Sequence, residues 1–335
     1  MQKITNLKIN NIAKKLVQEI IDNKDIYNAN IQELKNNATI IDMKNASLEG
    51  GRLFAEICMG GLGTINFSEF TINSHSLPSV NIYTNYPIIA CMASQLAGWS
   101  VKLKKQIEID GKIKKKIIFD SLGSGPARAK SKIERELFEE ITYNDDSDCA
   151  IILFETSQQP NEEVMQMIAD KCNVDTDKTF ALYAPTASLT GSIQIAARIV
   201  ETGIHKLYEI GFPIEIIQIG FGTTSIAPIA KNDKEAMGRT NDSIIAGGMV
   251  YYTVNIDKEK EKKIFNLIKK APANKSSSYG KPFTEIFKDV NYNFYNIDPG
   301  LFAPAIFTIT NLKTGNTITS GALNMDLLKN SYGIE

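Results

Sequence analysis

Residues 7–21, LKINNIAKKLVQEII, place Leu7, Ile9, Ile12, Ala13, Leu16, Val17, Ile20 and Ile21 at helical spacing with lysines opposite, which predicts an amphipathic helix. A polar segment follows, and residues 39–43 predict a short strand. Residues 48–67, LEGGRLFAEICMGGLGTINF, carry two glycine clusters. Gly50-Gly51 predicts a turn before a strand at 52–58, and Gly60-Gly61-Leu62-Gly63 a second turn before a strand at 64–67. Such turns bring backbone within reach of a ligand, and tight hairpins needing positive φ account for them equally well. Residues 80–83 predict a strand. Pro87 then opens a helical run, IIACMASQLAGW, that ends near Gly98 and Trp99. Residues 101–119 alternate Ile and Lys around Asp110-Gly111, a hairpin signal whose lysines fit guards of an exposed edge better than a patch for an anionic substrate.

Residues 122–129, LGSGPARA, predict a glycine-rich turn running into a helix at 129–140. Its backbone N–H groups suit a phosphate or carboxylate, with Arg128 as a bidentate grip, but it lacks both the P-loop lysine and the full dinucleotide fingerprint. The carboxylates at 134–146 read as a solvated helix and turn. A buried strand at 149–155, a helix at 160–171 and a strand at 180–183 lead to the segment 184–208. There Pro185 fixes a turn, the Thr186 and Ser188 hydroxyls offer caps, and 192–207 predicts a helix apolar on most sides. Its single polar stripe is Gln194, Arg198, Glu201 and His205, spaced four, three and four apart. A buried Arg and Glu one turn apart form either a structural ion pair or a poised acid/base device; spacing alone favours the structural pair. His205 reads as a satisfied structural histidine. Residues 214–219 predict a strand ending in the turn Gly220-Phe221-Gly222-Thr223, and Arg239 to Asp242 a polar cap before an apolar run. A lysine-rich helix at 258–270 and a hairpin of 303–310 with 317–320 complete the pattern.

Two sequence fragments recur. Thr84-Asn85-x-x-Ile88-Ile89-Ala90 returns as Thr240-Asn241-x-x-Ile244-Ile245-Ala246, and Gly61-Leu62-Gly63-Thr64 as Gly220-Phe221-Gly222-Thr223, at offsets of 156 and 159. The expected fold is therefore α+β with α/β-type layers. It comprises two topologically related domains, 1–145 and 146–335, and a ligand pocket between them lined by both glycine turns, Gly61 and Gly63 included.

Composition narrows the partner. The chain has 335 residues, 43% hydrophobic, with 37 basic against 38 acidic side chains and a net charge of −1, so no global field draws it to nucleic acid or a membrane surface. A small molecule is the expected partner. Cys58, Cys91, Cys149 and Cys172 are far apart among apolar neighbours, as reduced buried thiols are. With no leader pattern and no apolar run of membrane length, a cytoplasmic protein is expected. Only His75 and His205 exist, which argues against zinc and leaves carboxylate-bound magnesium open.

Five stretches then add more than their spacing. EICMGGLG, SQLAGW, GSGPARA, APTASLTGSIQIAARIVETGIHKL and AMGRTNDSIIAGG, in this order over residues 56–248, closely resemble the methenyltetrahydromethanopterin cyclohydrolase family. The resemblance implies reversible hydrolysis of the methenyl bridge of a one-carbon-loaded pterin carrier to its 5-formyl form, in archaeal and methylotroph one-carbon metabolism. It implies no metal or prosthetic group, two related α+β domains around a pocket, and a trimer. It also matches Arg198 and Glu201 to the family's catalytic pair, overturning the structural reading of the stripe. Glu201 is then the base that deprotonates water and returns the proton to the departing arylamine nitrogen, and Arg198 orients and tunes it. Gly123, Ser124, Gly125 and Arg128 are implied to hold a polar or anionic part of the carrier. Thr186, Ser188 and Gln194 are implied to sit nearer the pterin, with Thr240 and Asn241 contributing as well. The rival readings are a phosphoryl-transfer enzyme of small-molecule kinase type, with GSGPARA as its phosphate loop, and a pterin carrier without turnover.

Overall fold

The computed structural model of the chain describes residues 7–72, 74–109, 112–293 and 296–334. In chain order, α1 (Ile9–Asp22) and α2 (Lys24–Tyr27) lead into β1 (Asn30–Glu33), β2 (Thr39–Asp42) and α3 (Leu48–Cys58). A hairpin of β3 (Gly63–Ile72) and β4 (His75–Thr84) precedes a π-helix, Ile88–Gln95. A second hairpin, β5 (Trp99–Ile109) and β6 (Lys112–Ser124), precedes α4 (Ala127–Ser131) and α5 (Arg135–Glu140). Next come β7 (Ala150–Glu155), α6 (Glu162–Cys172), β8 (Thr179–Ala184), α7 (Leu189–Ala196) and α8 (Ile199–Glu209). The remainder is β9 (Ile217–Ser225), α9 (Asp233–Gly247), β10 (Met249–Val254), α10 (Lys258–Ile268), α11 (Phe283–Asp289), β11 (Ile306–Asn311), β12 (Thr317–Gly321) and α12 (Met325–Tyr332).

The chain forms two compact units, Met1–Gly61 with Ala93–Pro185, and Leu62–Met92 with Thr186–Glu335. Residue 146 lies within the first unit, whose sheet takes strands from both sides of it. Each unit carries one mixed six-stranded sheet, so the fold is α+β as expected. The first sheet has the order β1-β2-β8-β7-β6-β5, parallel at β2/β8 and β8/β7 and antiparallel elsewhere. The second has the order β12-β11-β10-β9-β4-β3, parallel only at β10/β11.

The two sheets bury their faces differently. In the first, Phe180, Leu182 and Ala184 of β8 join one core with α1 and α3, while Ala181 and Tyr183 join another with α6. A strand buried on both faces reads as an unbroken apolar run, which is why β7 and β8 stood out in the sequence. In the second sheet Val250 and Tyr252 of β10 point into the core, whereas Tyr83, Phe221 and Tyr251 are exposed on the other face and meet in cross-strand register.

Several local expectations need correction. The stretch 52–58 is helix, not strand: Ser47 accepts from the Gly50 amide as N-cap, and Gly50 and Gly51 lie inside α3. Gly50 is there because a Cβ would sit 2.8 Å from the Tyr27 carbonyl. The turn is Gly60-Gly61, both at positive φ, where α3 ends. Gly220 and Gly222 make no turn but lie within β9, because a Cβ at either would collide with Val200 or Ile199 of α8. Residues Arg239 to Asp242 lie inside α9, whose N-cap is Asn232. The run after Pro87 is a π-helix. The hairpin turn Asp110-Gly111 lies outside the described residues. Among the described residues no helix is long and apolar enough to cross a membrane.

Candidate active site

The predicted single helix at 192–207 is two helices. Ala197 still donates to Ile193, but Arg198 donates to Ile195, a tightened last turn, and α8 begins at Ile199 with Arg198 at its N-cap position. Ser188 caps α7 by accepting from the Gly191 amide at 3.0 Å, as the hydroxyl pattern predicted. The polar stripe survives the junction. Gln194 Oε1 accepts from Arg198 Nε at 3.1 Å, and Arg198 Nη1 lies 4.0 Å from Glu201 Oε2. Both charged side chains are largely buried, at 11% and 7% exposure. A carboxylate in the first turn of a helix also faces the positive end of the helix dipole. His205 is half-exposed, 4.0 Å from Glu209, at the outer end of the stripe.

The seat beneath α8 is built from glycines. Cβ atoms at Gly220 and Gly222 of β9 would meet Val200 and Ile199 at under 3.0 Å, and one at Gly248 would lie 2.4 Å from Ile199. Their absence lets the first turn of α8 rest on the sheet. In the same unit, the Ala187 amide donates to Asp233 at 2.8 Å, joining the segment before α7 to the start of α9. Thr186 is buried, and its carbonyl accepts from Ser188. Thr240 and Asn241, one buried and the other half-buried, bond back to their own helix at the carbonyls of Ala236 and Met237. Gly63 opens β3 opposite Thr84.

The remaining candidates belong to the first unit, where Gly61 ends the turn after α3. Around the Ser94 carbonyl, the Gly125 amide donates at 2.8 Å and Arg128 Nη1 at 3.2 Å. Ser94 Oγ in turn donates to the Cys58 carbonyl, and Ser124 Oγ lies 3.2 Å from Cys58 Sγ. Arg128 is fully buried, and Glu134 accepts from its Nε at 3.0 Å and also from Nη2. Glu134 is therefore a partner for that cation rather than the solvated carboxylate expected. Asp145 likewise accepts from the Asn10 amide and side chain. Gly98 makes the pair possible, since a Cβ there would overlap the Glu134 carboxylate. Gly123 packs on Ile152, and Gly125 at φ +95° packs on Leu153. The loop thus spends its donors inside the protein, which removes support for a phosphate-loop reading.

Sequence reasoning passed over Ser94, Glu134 and Tyr252. Glu134 lies in a run of acidic residues that resembles any exposed helix, and no local signal distinguishes it. Among the described residues, no three His, Cys, Asp or Glu side chains gather as a metal-binding group. All four cysteines are buried, and none is in a disulfide.

Comparison with known proteins converges on one family. A family model described as Cyclohydrolase (MCH) matches residues 8–332. The chain is 39% identical over 331 residues to a protein of Methanosarcina mazei named methenyltetrahydromethanopterin cyclohydrolase, covering 98% of this chain and 99% of that one. Proteins with the same name from Methanoregula boonei and Methanocaldococcus jannaschii are each 40% identical, over 332 and 333 residues. The matches cover 98% of this chain, and 100% and 98% of theirs.

Proposed function

The chain belongs to the methenyltetrahydromethanopterin cyclohydrolase family and is a hydrolase of the methenyl bridge, and we propose that Glu201 and Arg198 carry the reaction. The observation that supports this assignment is the buried Gln194–Arg198–Glu201 chain at the head of α8. The substrate is a cyclic amidinium cation, already electrophilic at its bridging carbon, so the step that needs help is deprotonation of water. Glu201 takes one proton from the water as its oxygen bonds to that carbon. The tetrahedral carbon then releases the arylamine nitrogen, which receives the proton from Glu201. The remaining O–H proton leaves as the formyl carbonyl forms. Arg198, held by Gln194, orients the carboxylate through the first half of the cycle.

In this reading Gly61 and Gly63 leave backbone open to the substrate, and Gly123, Ser124, Gly125 and Arg128 shape a rigid loop for the carrier's polar part. Thr186, Ser188, Gln194, Thr240 and Asn241 contribute contacts to the pterin. The reaction needs no metal or prosthetic group and belongs to methanogen-type one-carbon metabolism in the cytoplasm. The enzyme works as a homotrimer, and the exposed row Tyr83, Phe221 and Tyr251 offers apolar surface for self-association.

Purified protein mixed with the methenyl carrier provides the test. Loss of the methenyl ultraviolet absorbance, undiminished after dialysis against a chelator, is expected. Saturable binding without that loss would make the protein a carrier, and light scattering reads the oligomeric state.

A further inference from the structure

Tyr252 of β10 is fully buried, and its hydroxyl donates to the Val200 carbonyl at 2.7 Å. Val200 immediately precedes Glu201 in the first turn of α8. A second observation is independent of that bond: a Cβ at Gly203 would lie 2.1 Å from the Tyr252 hydroxyl, so the phenol reaches the helix backbone only because residue 203 has no side chain. A third is chemical. Burial first, then the neighbouring Cys91 and Glu201, push the phenol well above its ordinary value, so it stays a donor at any working pH. A buried tyrosine hydroxyl needs a partner, but that partner need not be the backbone beside a functional carboxylate.

We propose that Tyr252 is a positioning residue, whose hydrogen bond to the Val200 carbonyl, admitted by Gly203, fixes the turn of α8 that presents Glu201 beside Arg198. The inference rests on the reading of Glu201 as the base. Gly220, Gly222 and Gly248 bring the turn down onto the sheet, and Tyr252 fastens it from the strand next to β9. Catalytic groups must be held to within about 0.5 Å, and a misplacement of about 1 Å can cost on the order of a hundredfold in rate. Tyr252 touches no substrate; it acts through the backbone of the residue before Glu201.

The test compares Tyr252→Phe, Gly203→Ala, the double variant and Glu201→Gln for kcat, KM, the pH profile of kcat and melting temperature. Tyr252→Phe is expected to fold, to keep KM within about twofold, to lose roughly tenfold in kcat and to move the pH profile. Gly203→Ala, which forces a methyl against the hydroxyl, is expected to lose more, and adding Tyr252→Phe to it should recover much of that extra loss, with the ring Cζ at 3.2 Å and Val250 at 3.3 Å still close. A Tyr252→Phe enzyme with kcat within about twofold of the parent and an unmoved pH profile overturns the proposal, whatever its melting temperature. Losses that simply add in the double variant overturn it too. Normal turnover by Glu201→Gln would remove the base assignment and this inference with it, whereas an inactive Glu201→Gln beside a normal Tyr252→Phe removes this inference alone.

Discussion

The proposed roles of Glu201 and Arg198 are tested at single side chains. Glu201→Gln keeps the shape of the side chain and removes the proposed proton acceptor. Turnover is expected to fall by about two or more orders of magnitude while KM stays near the parent value, measured by loss of the methenyl absorbance. Near-parent turnover would exclude Glu201 as the base. Arg198→Ala takes away the cation 4.0 Å from that carboxylate, and both the rate and the pH profile should move. A profile that stays in place would mean that Arg198 does not tune Glu201. That these two residues share one stripe was legible from their i, i+3 spacing, whereas spacing alone favoured a structural pair and only the family resemblance pointed to catalysis. Arg128 differs: the sequence shows a cation beside glycines, and only the fold supplies Glu134 and the Ser94 carbonyl as its partners.

Among the elements, β9 shows where local patterning misleads. Gly-Phe-Gly reads as a turn when judged by conformational freedom, yet here the glycines serve volume, since Ile199 and Val200 occupy the space their side chains would fill. Gly222→Ala should therefore destabilise the protein by about 1–3 kcal/mol, the usual cost of forcing a methyl into a packed contact, read as a lower urea midpoint at unchanged m. A neutral Gly222→Ala would return those glycines to a conformational explanation. The stretch 48–58 fails for a related reason: Gly50-Gly51 looks like a break, but Gly50 is a close approach to Tyr27 within a capped helix. By contrast α1, α6, α10 and the terminal hairpin were found within a few residues, because each keeps one face apolar at its own period.

For the whole molecule, Asp242 links stability to pH. It is 1% exposed, its oxygens accept from the Phe283 amide at 3.0 and 3.1 Å, and burial pushes its carboxyl up to about 7, with that amide pulling the other way. Between the ordinary 3.8 and about 7 the native state keeps a proton that the unfolded chain releases. This group therefore makes stability fall as pH rises through that window, by at most about 1.4 kcal/mol per pH unit. Chemical denaturation at pH 5 and pH 7 should show the decline in the parent and a flatter response in Asp242→Asn. An equal slope in both would assign the pH dependence to other groups.

The sequence by itself determined the α+β class and the stripe on which Arg198 and Glu201 lie, since alternating or helical burial is written in residue order, and its motif series carried the resemblance to the family. The tertiary structure decided what order cannot encode. The chain crosses between its two units three times, so strands far apart in sequence become neighbours in one sheet. Glycines at 203, 220, 222 and 248 make room for side chains that only the folded state brings to them. Buried polar groups such as Arg128 and Asp242 find partners far along the chain, at Ser94 and Phe283, because a desolvated polar group must be satisfied wherever the fold places a donor or an acceptor.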